Sequence, residues 1–198
     1  MERSSGGRRP LNRAAAGILI AILAVTVLAA DQLTKALALA QLEPADPVQV
    51  LGEALIFVLV FNPGGAFSLG AGFTWFFTIA LASVAIVIVY LILTRVRSRL
   101  WAVALGLLLG GVLGNLTDRL FRDPGFPVGH VVDFIHTPWM MDAVYNVADI
   151  FIVGDMIGIA LLVLLGVHMD GTRERRRAAA TDAGSSAEGD APRGSSPA

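Results

Sequence analysis

Cysteine is absent from all 198 residues. That excludes a disulfide, a thiolate nucleophile, a thiolate metal site and any lipid carried on the chain's own cysteine. Lysine is reduced to Lys35, and histidine to His130, His136 and His168. No His-Glu-x-x-His pair occurs, which excludes the zinc-peptidase arrangement of two histidines on one helical face. A serine–histidine pair drawn from Ser68 with His130 or His136 stays open, although no motif surrounds either histidine. Internal repeats are lacking, which argues against an inverted-repeat transporter.

What remains is strongly apolar. Hydrophobic residues make up 55% of the chain, against roughly 45–50% in soluble domains even when glycine is counted, so the excess points to a membrane. Four runs approach the roughly 20 residues that cross a ~30 Å hydrocarbon core. They are Ala14 to Ala30, extending to about Ala40 across polar interruptions, then Phe73 to Thr94, Leu100 to Thr117, and Val147 to Met169. The first follows arginines as a secretory signal would, but it is long and no convincing cleavage site precedes Asp31. It reads as a retained span.

A net charge of −1 hides a segregation of sign. Arg3, Arg8, Arg9 and Arg13 precede the first span, Arg95, Arg97 and Arg99 separate the second from the third, and Arg173, Arg175, Arg176 and Arg177 follow the fourth. The positive-inside rule therefore puts both termini and the 95–99 loop in the cytoplasm, and segments 31–72 and 118–149 on the other side. Residues 1–13 form a basic cytoplasmic arm that sets topology rather than binding nucleic acid. Residues 14–169 form the membrane domain, and 170–198, without apolar periodicity, a disordered cytoplasmic tail.

The expected fold is an all-α four-helix transmembrane bundle with a small β-sheet on the extracytoplasmic surface. The β-branched and aromatic runs Val48 to Leu51 and Leu55 to Phe61 read as strands, as does Val131-Val132-Asp133-Phe134. Asn62-Pro63-Gly64-Gly65 and Asp123-Pro124-Gly125-Phe126-Pro127 read as turns.

Acids near hydrocarbon lose hydration or shift their pKa, so they are functional suspects. Asp133 and Asp149 stand sixteen positions apart, each at the edge of an apolar run, and a returning loop lets them share one proton and activate one water. Asn115 and Asp118, three apart at the end of the third span, project from one helical face, and Asn146 and Asp149 repeat that spacing where the fourth begins. Asp31 and Lys35, four apart, can pair on a helix, and a local ion pair ending the first span explains them by itself. Arg119 can pair with Asp118 or another outer acid, and both are read as structural. Asp155, about 9 Å deeper along the fourth span by helical rise, receives no chemistry. The bland alternative for each polar residue is hydration of a helix end; their convergence with Asn62 on one membrane face argues against it. A small transporter would spread its acids through the bundle, and a non-catalytic adaptor would tolerate acid-to-amide changes.

Asp31-Gln32-x-x-Lys35, Asn62-x-Gly64-x-Ala66-Phe67, Gly114-Asn115-x-x-Asp118-Arg119, Val131-Val132-Asp133-Phe134 and Asn146-x-Ala148-Asp149 occur in the order found in lipoprotein signal peptidases, the signal peptidase II family. The chain resembles that family from about residue 14 to 169. The resemblance implies a bacterial inner-membrane aspartic endopeptidase that removes signal peptides from prolipoproteins, cutting before a cysteine that already bears a diacylglyceryl group. It implies Asp133 and Asp149 as the catalytic dyad. Asp31, Lys35, Asn62, Asn115, Asp118, Arg119 and Asn146 would support the dyad or hold substrate. It implies no metal or other cofactor, membrane lipid as surroundings, and sensitivity to the cyclic peptide globomycin. Two departures stand out: the stretch from Arg119 to Val131 is several residues longer than usual, and Tyr145 replaces a common phenylalanine.

Overall fold

A computed structural model describes residues 11–44, 46–64 and 71–172. The basic arm up to residue 10 and the tail beyond residue 172 lie outside the described residues. Four helices, α1 (Arg13–Gln41), α2 (Thr74–Thr94), α3 (Arg99–Phe121) and α4 (Val147–Leu164), are each long and apolar enough to cross a membrane. Four short strands, β1 (Val48–Gln49), β2 (Ile56–Asn62), β3 (Val131–His136) and β4 (Val144–Tyr145), pair antiparallel in that order as one sheet. This is the expected bundle with a small sheet.

α1 begins at Asn12, whose side chain accepts the Ala15 N–H at 2.7 Å and so satisfies a free donor of the first turn. Its buried residues, Ala16, Ile20, Ala24, Val27, Asp31, Lys35 and Ala38, recur every three or four positions and form one continuous stripe. At 29 residues it is about 43 Å long, more than the hydrocarbon core needs, so one end stands in the interface. The Asp31–Lys35 pair lies inside this helix rather than ending it.

α3 is the central helix. Glycines let it approach its neighbours closely: a Cβ on Gly110 would stand 2.6 Å from the Val27 Cβ and 2.7 Å from the Ala24 carbonyl oxygen of α1. One on Gly111 would meet the Ala148 carbonyl oxygen of α4 at 2.7 Å. In a membrane, where lipid tails are as apolar as leucine, such backbone approach supplies the packing that burial supplies in water. α2 and α4 keep apolar side chains on their outward faces, including Trp75, Ile86, Leu93, Val153 and Leu161.

α4 ends earlier than the apolar run suggests. Gly166 takes a positive φ of 63°, which stops the helix near Leu165. Val167 to Met169 then fold back: the Trp101 indole donates to the Val167 carbonyl at 2.8 Å, and the Met169 carbonyl accepts the N–H groups of Arg97 and Ser98.

Candidate active site

The sheet and the α4 N-terminus bring the acids together. Val60 faces Asp133 across β2 and β3, and Asn62 faces Val131, so Asn62 and Asp133 are diagonal neighbours on one face of the sheet. The Asn62 amide donates to Asp133 Oδ2 at 2.9 Å. At the other end of the β3–α4 connection Asn146 caps α4. Its Oδ1 accepts the Asp149 N–H at 3.0 Å, while Asp149 Oδ2 accepts the Asn146 N–H at 3.2 Å, a reciprocal capping box. The Asp149 carboxylate therefore sits in the first turn of α4, where the helix dipole favours negative charge.

Asn146 links the two acids, because its Nδ2 donates to Asp133 Oδ1 at 2.6 Å. The same Nδ2 donates to Asn115 Oδ1 at 3.1 Å, and the Asn115 amide donates to Asp149 Oδ1 at 2.8 Å. The polarity of both amides is forced. Asn146 Oδ1 must face a backbone N–H, and Asn115 Oδ1 must face the Lys35 ammonium, 2.9 Å away. Each amide therefore turns its NH₂ toward a carboxylate. Asp133 and Asn146 are buried, and Asp149 is half-buried. Burial, then the neighbouring Asp149, push Asp133 up to about 7 against the opposing hydrogen bonds from Asn62 and Asn146 and the field of Lys35.

Beneath this pair lies a second buried layer. Lys35 Nζ stands 2.8 Å from Asp31 Oδ2 and 2.8 Å from Asp118 Oδ2, all three side chains fully enclosed. Asp31 Oδ1 accepts the Ala148 N–H at 2.9 Å, which ties α1 to the start of α4. Asp118 Oδ2 also accepts the Val132 N–H at 3.2 Å, beside Asp133 in β3. Arg119 does not serve as the partner of Asp118. Its guanidinium donates to the carbonyl oxygens of Pro63 at 3.0 Å, Gly129 at 3.1 Å and Gly64, fastening the segments after β2 and before β3 to α3, and it lies over the Phe77 ring.

The sequence reading missed three contributors. Arg122 pairs with Asp118 at 2.6 Å, a contact that the four-residue spacing on a helix signals. Gln32 donates to Asp31, Asp118 and the Gly114 carbonyl, each at 3.1 Å. Strand β4 and the Met140–Met141 loop before it carried no readable pattern. Asp155 stays apart from the cluster, its Oδ2 shielded and without a partner among the described residues. No group of three His, Cys, Asp or Glu side chains able to hold a metal occurs among the described residues.

Asp133 and Asp149 open onto a cavity of about 740 Å³ between α2, α3, α4 and the sheet. Its walls are largely apolar, with Ala80, Leu81 and Val84 on one side and Ile152 and Val153 on another. Asn62, Asn115, Arg119 and the two acids form its polar end. Two carboxylates joined through one asparagine, one of them holding its proton near neutrality, can activate a water and protonate a leaving group.

Comparisons with known proteins agree with that chemistry. A family model described as signal peptidase (SPase) II matches residues 23–167. A lipoprotein signal peptidase of Leifsonia xyli is 45% identical over 170 residues, covering 86% of this chain and 78% of that protein. That of Rhodococcus jostii is 48% identical over 157 residues, covering 79% and 78%, and that of Mycobacterium avium 40% identical over 178 residues, covering 89% and 96%. A solved bacterial membrane enzyme superposes with a TM-score of 0.68 at 28% identity, covering 79% of this chain and 91% of the other.

Proposed function

The chain belongs to the signal peptidase II family, and from that premise we propose that Asp133 and Asp149 are its catalytic dyad. It is a multi-pass bacterial membrane protein and an aspartic endopeptidase that removes signal peptides from prolipoproteins, cutting before the lipid-modified cysteine. The observation that carries the residue assignment is the bridge made by Asn146, which hydrogen-bonds Asp133 through its amide and Asp149 through its backbone N–H.

In this reading the ionised member of the dyad takes a proton from the attacking water. The neutral member donates its proton to the developing oxyanion, and as the intermediate collapses the proton taken from water passes to the leaving amine while the oxyanion's proton returns to the dyad. The pair titrates as a unit. Asn62, Asn115 and Asn146 hold the carboxylates through hydrogen bonds, so neither must reorient as charge moves. Asp31, Lys35 and Asp118 fix Asn115, Ala148 and Val132, and Arg119 fixes the backbone at Pro63, Gly64 and Gly129. None of these steps requires a metal or organic cofactor.

The apolar cavity suits the diacylglyceryl chains, with its polar end at the dyad, so that lipid placement brings the scissile bond into reach. A globomycin-type cyclic peptide would compete for the same end. Arginine segregation supports cytoplasmic termini and a site on the extracytoplasmic side. No nucleic-acid partner is proposed. The deciding experiment is cleavage of a purified diacylglyceryl-modified prolipoprotein. Asp133→Asn and Asp149→Asn should each lose at least about 10²-fold in rate, and unmodified precursor should be cut poorly. Full activity in either variant overturns the dyad.

A further inference from the structure

The acids beside the dyad are balanced only when a residue outside the proposed set is counted. Asp31 and Asp118 share one ammonium, that of Lys35, with both contacts at 2.8 Å. Taken alone, that buried trio carries one net negative charge directly under two further carboxylates. Arg122 removes the excess. It lies at the C-terminal end of α3, one turn beyond Asp118, with its side chain only 26% exposed. Its Nε donates to Asp118 Oδ1 at 2.6 Å, and its Nη2 reaches Gln32 Oε1 at 3.4 Å. Gln32 in turn donates to that same Asp118 oxygen.

We propose that Arg122 is a positioning residue of the peptidase site. By answering Asp118, it leaves the Lys35 ammonium free to orient Asn115 and keeps the charge next to the dyad balanced. The inference rests on the reading of Asp133 and Asp149 as the dyad. Two routes lead from Arg122 to them. One is mechanical, since the Asp118 carboxylate that Arg122 holds also accepts the Val132 N–H next to Asp133. The other is electrostatic. Without Arg122, Lys35 is drawn toward Asp118 and away from Asn115 Oδ1, and the extra negative charge disfavours ionisation of the dyad.

The other charged groups around the dyad do not replace it. α1 presents Asp31 and Lys35, already paired. α2 carries no charged residue between Thr74 and Thr94, and β2 none between Ile56 and Asn62. α3 also presents Arg119, whose guanidinium is held by carbonyl oxygens of the segments after β2 and before β3. On β3, His136 faces the exposed Asp142 at 3.8 Å, and on α4 Asp155 lies deeper along the helix.

The test is the pH dependence of kcat/KM, with kcat and KM read separately, on lipid-modified prolipoprotein for the wild type, Arg122→Gln and Arg122→Lys. Removing the positive charge should move both limbs to higher pH by roughly half a unit, with KM little changed. The lysine variant, which keeps the charge but not the fork, should hold the wild-type limbs. A purely structural role would lower kcat evenly across pH and leave the limbs in place, and that result overturns the proposal. So does a shift in the lysine variant as large as in the glutamine variant. Arg122→Met, which keeps the aliphatic stem, takes the place of Arg122→Gln where the latter does not fold. Activity retained by Asp133→Asn would instead sink the dyad itself, so the two failures are distinct.

Discussion

Replacing Lys35 by methionine isolates the charge balance under the site. Lys35 is fully enclosed and contacts Asp31 and Asp118 at 2.8 Å and Asn115 at 2.9 Å. After substitution Asp118 still has Arg122, but Asp31 keeps only neutral donors, the Gln32 amide and the Ala148 N–H. One carboxylate is therefore left buried without a cation, a situation that costs about 3–5 kcal/mol. For a chain of this size that corresponds to a fall in Tm of roughly 6–20 °C. Thermal unfolding in detergent at pH 7.5 reads it directly. The double variant Asp31→Asn, Lys35→Met removes the stranded charge and leaves the Asp118–Arg122 pair balanced, so it should recover most of the loss. Activity should not recover with it, because Asn115 Oδ1 still lacks the ammonium that turns its amide toward Asp149. A loss below about 1 kcal/mol, or a double variant no more stable than the single, would refute the reasoning, since a broken buried pair costs several times that.

Two further predictions follow from the same geometry. Asp133, raised to about 7 in the fold, keeps its proton while the unfolded chain loses it near pH 4, so ionisation favours the unfolded state as pH rises. Stability should fall by up to roughly 4 kcal/mol between pH 4 and 7 and then level off, and Asp133→Asn should flatten that slope and be the more stable protein at pH 8 in thermal unfolding. On α3, a Cβ at Gly114 would stand 2.5 Å from Asp31 Oδ2 and 3.2 Å from the Ala148 Cβ. Gly114→Ala should therefore cost about 1–3 kcal/mol by overpacking and lower cleavage, whereas Gly158→Ala, with nothing within 4 Å and away from the cavity, should lower neither.

How far the sequence alone reached depended on whether a signal was local. The spans were legible because each is a long apolar run. The strands around Phe57 and Asp133 were legible from β-branched runs, but two-residue β4 has too few positions to show alternation. The end of α4 was misjudged because apolar composition continues through Val167 while a single backbone angle at Gly166 stops the helix. For the site, the acids and asparagines were visible as polar residues in costly places, and the three-residue spacings placed them on common faces. What could not be read was which group answers which. Arg119 adjoins Asp118 in sequence and attracted the pairing, yet neighbours in a helix point about 100° apart, and it is Arg122, one turn on, that reaches the carboxylate. The amide orientations of Asn115 and Asn146 are further removed still. They are dictated by an ammonium from α1 and a backbone N–H at the start of α4, donors brought together only by the close packing of α3. The polar residues thus announce where chemistry can occur, whereas the direction in which each hydrogen bond runs, and with it the charge state of the acids, is a property of the packed helices.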